Sequence, residues 1–186
     1  MGAAAAEERD EILKEKTARL SVASNTLLVA TKLAVGLAIG SVGIISEAIH
    51  SGIDLMAAAI AYFSVRQSAR PPDECHTFGH GKYESLSGLI EAILILAAAL
   101  MIIIEALRSL FGGEPTLYME GLWSGIAVML LSAAVNLFVS SRLMTAAKKT
   151  ESIALESDAW HLRTDVYTSL GVVAGLLLIR LTGLVV

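Results

Sequence analysis

Long apolar runs, broken at short intervals by glycine, proline and charge, fill the chain beyond its first eighteen residues. Runs of about 20 apolar residues match the length a helix needs to cross a hydrocarbon core about 30 Å thick. The pattern predicts five membrane-spanning helices over about residues 20–42, 44–66, 84–110, 117–141 and 152–182. They make an all-α transmembrane domain over 19–183, with a polar helical lead-in over 1–18, a polar loop at 67–83 and a short tail at 184–186. Breakers agree with these cuts: Gly40 and Gly43 at the first turn, Pro71 and Pro72 at the second connector, Gly112, Gly113 and Pro115 at the third. Gly36 and Gly40, four apart, allow close helix contact.

Basic residues orient the spans. Arg9, Lys14, Lys16 and Arg19 precede the first span, Arg66, Arg70 and Lys82 lie between the second and third, and Arg142, Lys148 and Lys149 lie between the fourth and fifth. The connectors around Ser41 and over 112–121 carry no Lys or Arg. The positive-inside bias therefore puts the amino terminus in the cytosol and, after five spans, the carboxyl terminus outside.

Composition narrows the class without naming a function. With 55% apolar and 17% charged residues over 186, and a net charge of −4, the chain is neither disordered nor a basic nucleic-acid binder. The one cysteine, Cys75, cannot form an intramolecular disulfide. The opening MGAAAAEERDEILKEK lacks the basic start, apolar middle and cleavage site of a signal peptide. Function must then come from polar residues among the spans.

The second span contains SEAIHSGIDL and the fifth ESDAWHLRTDVYTS, each with a histidine followed four residues later by an aspartate: His50 with Asp54, and His161 with Asp165. That spacing sets an imidazole and a carboxylate side by side on one helical face. Glu47 and Asp158 precede the histidines by three, which repeats an acid, His, Asp stripe. Counted at about 1.5 Å per residue, both pairs lie near the bilayer midplane. An aspartate there costs about 2.5–3.5 kcal/mol on insertion scales and needs a compensating partner or water. A metal dication supplies it, since two carboxylates, two neutral imidazoles and a dication sum to zero charge, and four N/O ligands suit tetrahedral zinc. Emptied of metal, two close carboxylates resist joint ionisation, so protons are the expected counter-ions. Hydrogen bonding between helices, or exposure to a water crevice, is the plainer reading of the same residues.

Taken with NTLLVATKLAVGLAIGSVGIISEAIHSGIDL and RPPDECHTFGHGKYESLSGL, these motifs resemble the transmembrane part of the cation diffusion facilitator family over nearly the whole chain. The resemblance implies a homodimeric antiporter that exports zinc, or iron, cobalt or cadmium, against protons by alternating access, with no prosthetic group and no enzymatic step. It maps the family's midmembrane site onto His50, Asp54, His161 and Asp165, and implies a second, shallower site at Asp73, His76 and His80. By chemistry alone, a solvated polar loop is the alternative reading of that second set. The partners expected are the dication, the bilayer and a second copy, without nucleic acid, in a bacterial inner membrane. Family members have six spans and usually a cytosolic domain, so the chain is expected to be a truncated product or a fragment.

Glu84, Glu91 and Glu105 share one face of the third span, and Glu91 is expected to pair with Lys32 or Arg163 at similar depth. Two other classes of function compete: a non-transporting metal-binding subunit or sensor, and a b-type haem protein with His50 and His161 as axial ligands, which leaves both aspartates unexplained.

Overall fold

A bilayer offers the backbone no water to bond, so an apolar chain of this length satisfies its peptide groups within helices. The computed structural model describes residues 2–40, 42–112 and 122–182, and these form five helices: α1 (Gly2–Ile39), α2 (Val42–Ser68), α3 (Lys82–Gly112), α4 (Leu122–Thr150) and α5 (Ile153–Thr182). No strand occurs among the described residues. Four of the helices contain segments long and apolar enough to span a bilayer: Ala5–Ala38, Glu47–Ser68, Lys82–Met101 and Ile126–Thr150. The described part of α5 is more polar because Glu156, Asp158, Arg163 and Asp165 fall within its first half. The start of the predicted fourth span at 117 and the tail at 184–186 lie outside the described residues.

α1 runs unbroken through the lead-in and the first span, because residues 3–19 are mostly Ala, Glu, Lys, Arg and Leu and contain no Gly or Pro. It reverses at Gly40, whose φ of +71° needs a residue without a Cβ. Nothing lies within 4 Å of where a Gly40 side chain would begin, so this glycine serves the turn and not helix packing. Gly36 does the packing: a Cβ there would stand 2.9 Å from Ile45 Cγ1 and 3.1 Å from the Ile45 backbone nitrogen.

Consecutive helices run antiparallel. α1 packs chiefly along α2 and α4 along α5, and contacts of α1 with α4, α3 with α5 and α2 with α3 join the hairpins. Large apolar side chains such as Leu27, Ile49, Met56, Phe63, Leu89 and Leu96 point outward, as a lipid-facing surface requires, while Asn25, Lys32, Asp54, Glu91 and Asp158 point inward. An apolar cluster that includes Ala18, Val65, Leu143, Leu155 and Leu162 fills the half of the bundle nearest the 69–81 loop.

Glu84, in the first turn of α3, fastens that same end. Its Oε1 accepts hydrogen bonds from Lys14 Nζ (3.2 Å) and Ser68 Oγ (3.0 Å), and its Oε2 accepts one from Ser152 Oγ (2.5 Å). One carboxylate thus ties α1, α2, α3 and the α4–α5 turn. Ser152 also caps α5, accepting from the Leu155 backbone N–H at 3.4 Å.

Glu84→Ala is expected to leave Lys14 with Glu11 alone, strip Ser68 and Ser152 of their acceptor and lower stability by about 2–3 kcal/mol, read from unfolding in detergent micelles. Gly36→Ala forces α1 away from the Ile45 backbone and is expected to cost about 1–2 kcal/mol in the same assay, whereas Ser24→Ala, whose hydroxyl donates within α1 to the Ser21 carbonyl, is expected to leave the midpoint near wild type.

Candidate metal centre

On α2, Glu47, His50 and Asp54 follow one another at i, i+3 and i+7, and on α5 Asp158, His161 and Asp165 do the same. The packing of α2 on α5 turns these stripes toward each other. His50, Asp54 and Asp165 each present a donor atom within 4.8 Å of the other two. His161 Nε2 lies 3.3 Å from Asp54 Oδ1 and 3.9 Å from Asp165 Oδ2. A tetrahedron with metal–ligand bonds of about 2.1 Å has edges of about 3.4 Å, and the His161–Asp54 separation is close to that while the His161–Asp165 one is wider. All four residues expected from the sequence are brought together, as three mutually close donors with His161 against the two carboxylates.

The donor atoms are buried and underused. Asp54 and His161 are each 4% exposed, yet Asp54 Oδ1, Asp165 Oδ2 and both ring nitrogens of His161 lack an aligned hydrogen-bond partner among the described residues. Buried polar atoms ordinarily have partners, so these call for one, whether a water, a proton or an ion. A cavity of about 230 Å³ reaches the centre, and His50, Asp54, Asp165, Ser132, Asn136 and Thr168 are among its lining. Met129 and Ser169 extend it toward the end of the bundle remote from the loop, so the donors connect with that end while apolar packing closes the other.

The two stripes are less alike than their spacing suggests. Because α2 and α5 run antiparallel, the residue three before histidine lies on opposite sides of the centre in the two helices. Glu47 borders the cavity, with its side chain 35% exposed, and accepts from Lys32 Nζ at 3.2 Å. Asp158 is 0% exposed, on the dry side, and neither of its oxygens has an aligned partner among the described residues.

The pairing expected for Glu91 is not found. Lys32 is taken up by Glu47 and by Ser51 Oγ at 2.8 Å, Arg163 Nε donates to Ser140 Oγ at 3.2 Å and its guanidinium lies 5.2 Å from the Trp160 ring. Glu91, fully buried, accepts from Ser87 Oγ at 3.3 Å, its one hydrogen-bond partner among the described residues, and lies within electrostatic range of Asp158. Depth along the helices matched these charges, but their direction around each helix separates them. The side chain of Glu105 lies outside the described residues. Residues 25 and 136 were not singled out from the sequence; both asparagines are buried, and an amide within an apolar span is itself a signal of an inward face.

The loop holds a second cluster. Asp73, His76 and His80 present donor atoms within 4.8 Å of one another. Asp73 Oδ1 lies 3.0 Å from His76 Nδ1 and Oδ2 lies 3.3 Å from His80 Nε2. Asp73 Oδ1 also accepts from the backbone N–H groups of His76 (2.6 Å) and Cys75 (3.0 Å), an Asx-type turn that sets the loop. The His76 backbone donor above all, helped by its ring, holds the Asp73 carboxyl below the usual carboxylate range, so it is ionised across the physiological range. His80 is buried and His76 half-exposed, with ring centroids 4.4 Å apart. Cys75 is exposed and carries a free thiol.

The pattern of the cation efflux transmembrane domain matches residues 18–185. The chain belongs to the cation efflux family. Relatives include an uncharacterized transporter of Synechocystis sp., 39% identical over 88% of this chain and 52% of its own length. Another is an uncharacterized transporter of Methanocaldococcus jannaschii, 32% identical over 88% of this chain and 57% of its own. The cation-efflux pump FieF of Yersinia pestis is 35% identical over 68% of this chain and 41% of its own. The chain thus spans about half the length of the curated relatives it matches. With four long apolar helices and this family membership, it is an all-α integral membrane protein.

Two buried, poorly partnered carboxylates side by side oppose folding. In chelator-treated protein, Asp54→Asn with Asp165→Asn is expected to raise stability by about 1–3 kcal/mol in a thermal melt in detergent, and a lower midpoint would show that the carboxylates are already satisfied.

Proposed function

We propose that this chain is the membrane part of a divalent-cation efflux transporter that binds its substrate between α2 and α5 and exchanges it for protons by alternating access. The observation that carries the reading is the meeting of two imidazoles and two carboxylates beside a cavity, with Asp54 and His161 buried and donor atoms of Asp54, His161 and Asp165 short of aligned partners. Two nitrogen and two oxygen donors favour zinc, and the same set accepts iron, cobalt and cadmium. A dication cancels both carboxylate charges. When it leaves, protons are the available replacement, because the ligands must be deprotonated to bind metal and two ionised carboxylates at this distance repel.

The positive-inside bias supports a cytosolic loop end, since Arg66, Arg70, Lys82, Lys148 and Lys149 cluster there. In that orientation the arrangement described has its cytosolic half packed shut, with Glu84 at its end, and its cavity directed outward. Inward access then requires the Glu84 contacts to part. Asp73, His76 and His80 stand at the cytosolic surface, where a preliminary metal site would collect substrate. A homodimer follows from the family resemblance and belongs to the same proposal. The haem alternative has no support from the packing, because His161 lies against Asp54 and leaves no slot for a macrocycle between α2 and α5.

The test is uptake into proteoliposomes under an imposed pH gradient, with zinc, iron, cobalt and cadmium in turn. Asp54→Ala and Asp165→Ala are expected to reduce uptake to the level of empty vesicles, and Asp73→Ala to lower it only several-fold. Wild-type flux in either midmembrane variant overturns the site. Flux indifferent to the pH gradient overturns the exchange.

A further inference from the structure

Lys32 is a fixed cation in the wall of the cavity that the proposed function assigns to a mobile one. It is 5% exposed, on α1 eight residues before Gly40, in a region where an ammonium group needs a partner. Its Nζ donates to Ser51 Oγ at 2.8 Å and to Glu47 Oε2 at 3.2 Å. Those two residues precede Asp54 and His50 respectively by three, so the ammonium is moored to the ligand-bearing face of α2 about one turn from the ligands. Lys32, Glu47, His50, Asp54 and Asp165 all line the same cavity. The other cation at similar depth, Arg163, is engaged by Ser140 and Trp160.

A positive charge at this distance from a dication site repels the dication unless something offsets it, and inside a cavity with low-dielectric walls that repulsion is strong. Glu47 is the offset. Its side chain is 35% exposed, so it holds the ammonium at the wet rim of the cavity, while the four-carbon stem of lysine is long and flexible enough to carry the charge toward Asp54 once released.

We propose that Lys32 and Glu47 form an affinity-setting pair, in which Lys32 is a tethered competitor for the dication site and Glu47 is the residue that restrains it. Neither is a metal ligand. Their role is to keep the site from binding its substrate too tightly to release, by placing a cation of the protein's own within reach of the two carboxylates as the dication leaves. This inference rests on the midmembrane metal reading.

The experiment is a zinc titration of the purified full chain in detergent, stripped with chelator, against a competing chromogenic chelator, for wild type, Lys32→Met, Glu47→Gln and the double variant. Glu47→Gln is expected to weaken zinc binding about tenfold, Lys32→Met to tighten it about tenfold, and the double variant to return to within about threefold of wild type. Elution profile and helicity report folding, and Lys32→Gln stands in if Lys32→Met does not fold. Weakening in all three variants, with the double the weakest, is the signature of a packing role and overturns the proposal, as does no change in any. Zinc binding that Asp54→Ala abolishes, together with a flat Lys32 and Glu47 series, sinks this inference alone. Wild-type protein that binds no zinc, or Asp54→Ala that binds as wild type, sinks the metal reading and this inference together.

Discussion

The cost of carrying a charge into hydrocarbon governs the arrangement of this bundle. Leucine, isoleucine and phenylalanine can face lipid without penalty, so they do, and the interior is left to groups that lipid would reject. Each acid inside has found a different settlement. Glu84 is met by three donors from three elements and becomes a fastener. Glu47 takes a lysine and partial exposure to the cavity. Asp54 and Asp165 lie beside His161 with carboxylate oxygens short of aligned partners among the described residues, an arrangement that is poor as structure and suited to the cation site proposed above. The same physics that keeps charge out of the outer surface therefore concentrates it where an ion can use it.

The two ends of the bundle differ in kind. Near the loop, small and branched apolar side chains interlock around a satisfied carboxylate. Toward the α1–α2 turn, the helices enclose serines, a threonine, an asparagine and a cavity. A transporter of the proposed type needs such a difference, and needs it to be reversible. Hydrogen bonds from side chains on separate helices can be broken and remade at modest net cost, which suits a closure made by Glu84 better than one made by a deep apolar core alone.

Much of this was legible in the sequence, and the reasons differ from place to place. The His50–Asp54 and His161–Asp165 pairs could be read because a spacing of four has one geometric meaning on a helix. The five helices could be read because the bilayer sets a length, and four of them carry segments long and apolar enough to span it. Glu91 could not be assigned a partner, since counting residues gives depth along a helix but not direction around a bundle whose packing is unknown. The partner of Lys32 was in fact within reach: Lys32 lies eight residues before Gly40 and Glu47 seven after, which puts them level across a tight hairpin. The likeness of Glu47 to Asp158 misled because equal spacing on antiparallel helices places equal positions on opposite sides of a common point.

The division of the four donors between hairpins has a mechanical meaning. α1 and α2 are held together by the close approach at Gly36 and by Lys32, and α4 and α5 by their own long contact, whereas α2 and α5 touch over a short stretch. His50 and Asp54 ride on the first pair, His161 and Asp165 on the second. Under the proposed reading the donors gauge the distance between the two hairpins: a shift of an ångström between them would spoil four bonds of about 2 Å at once, so grip on the ion and posture of the bundle would become one variable.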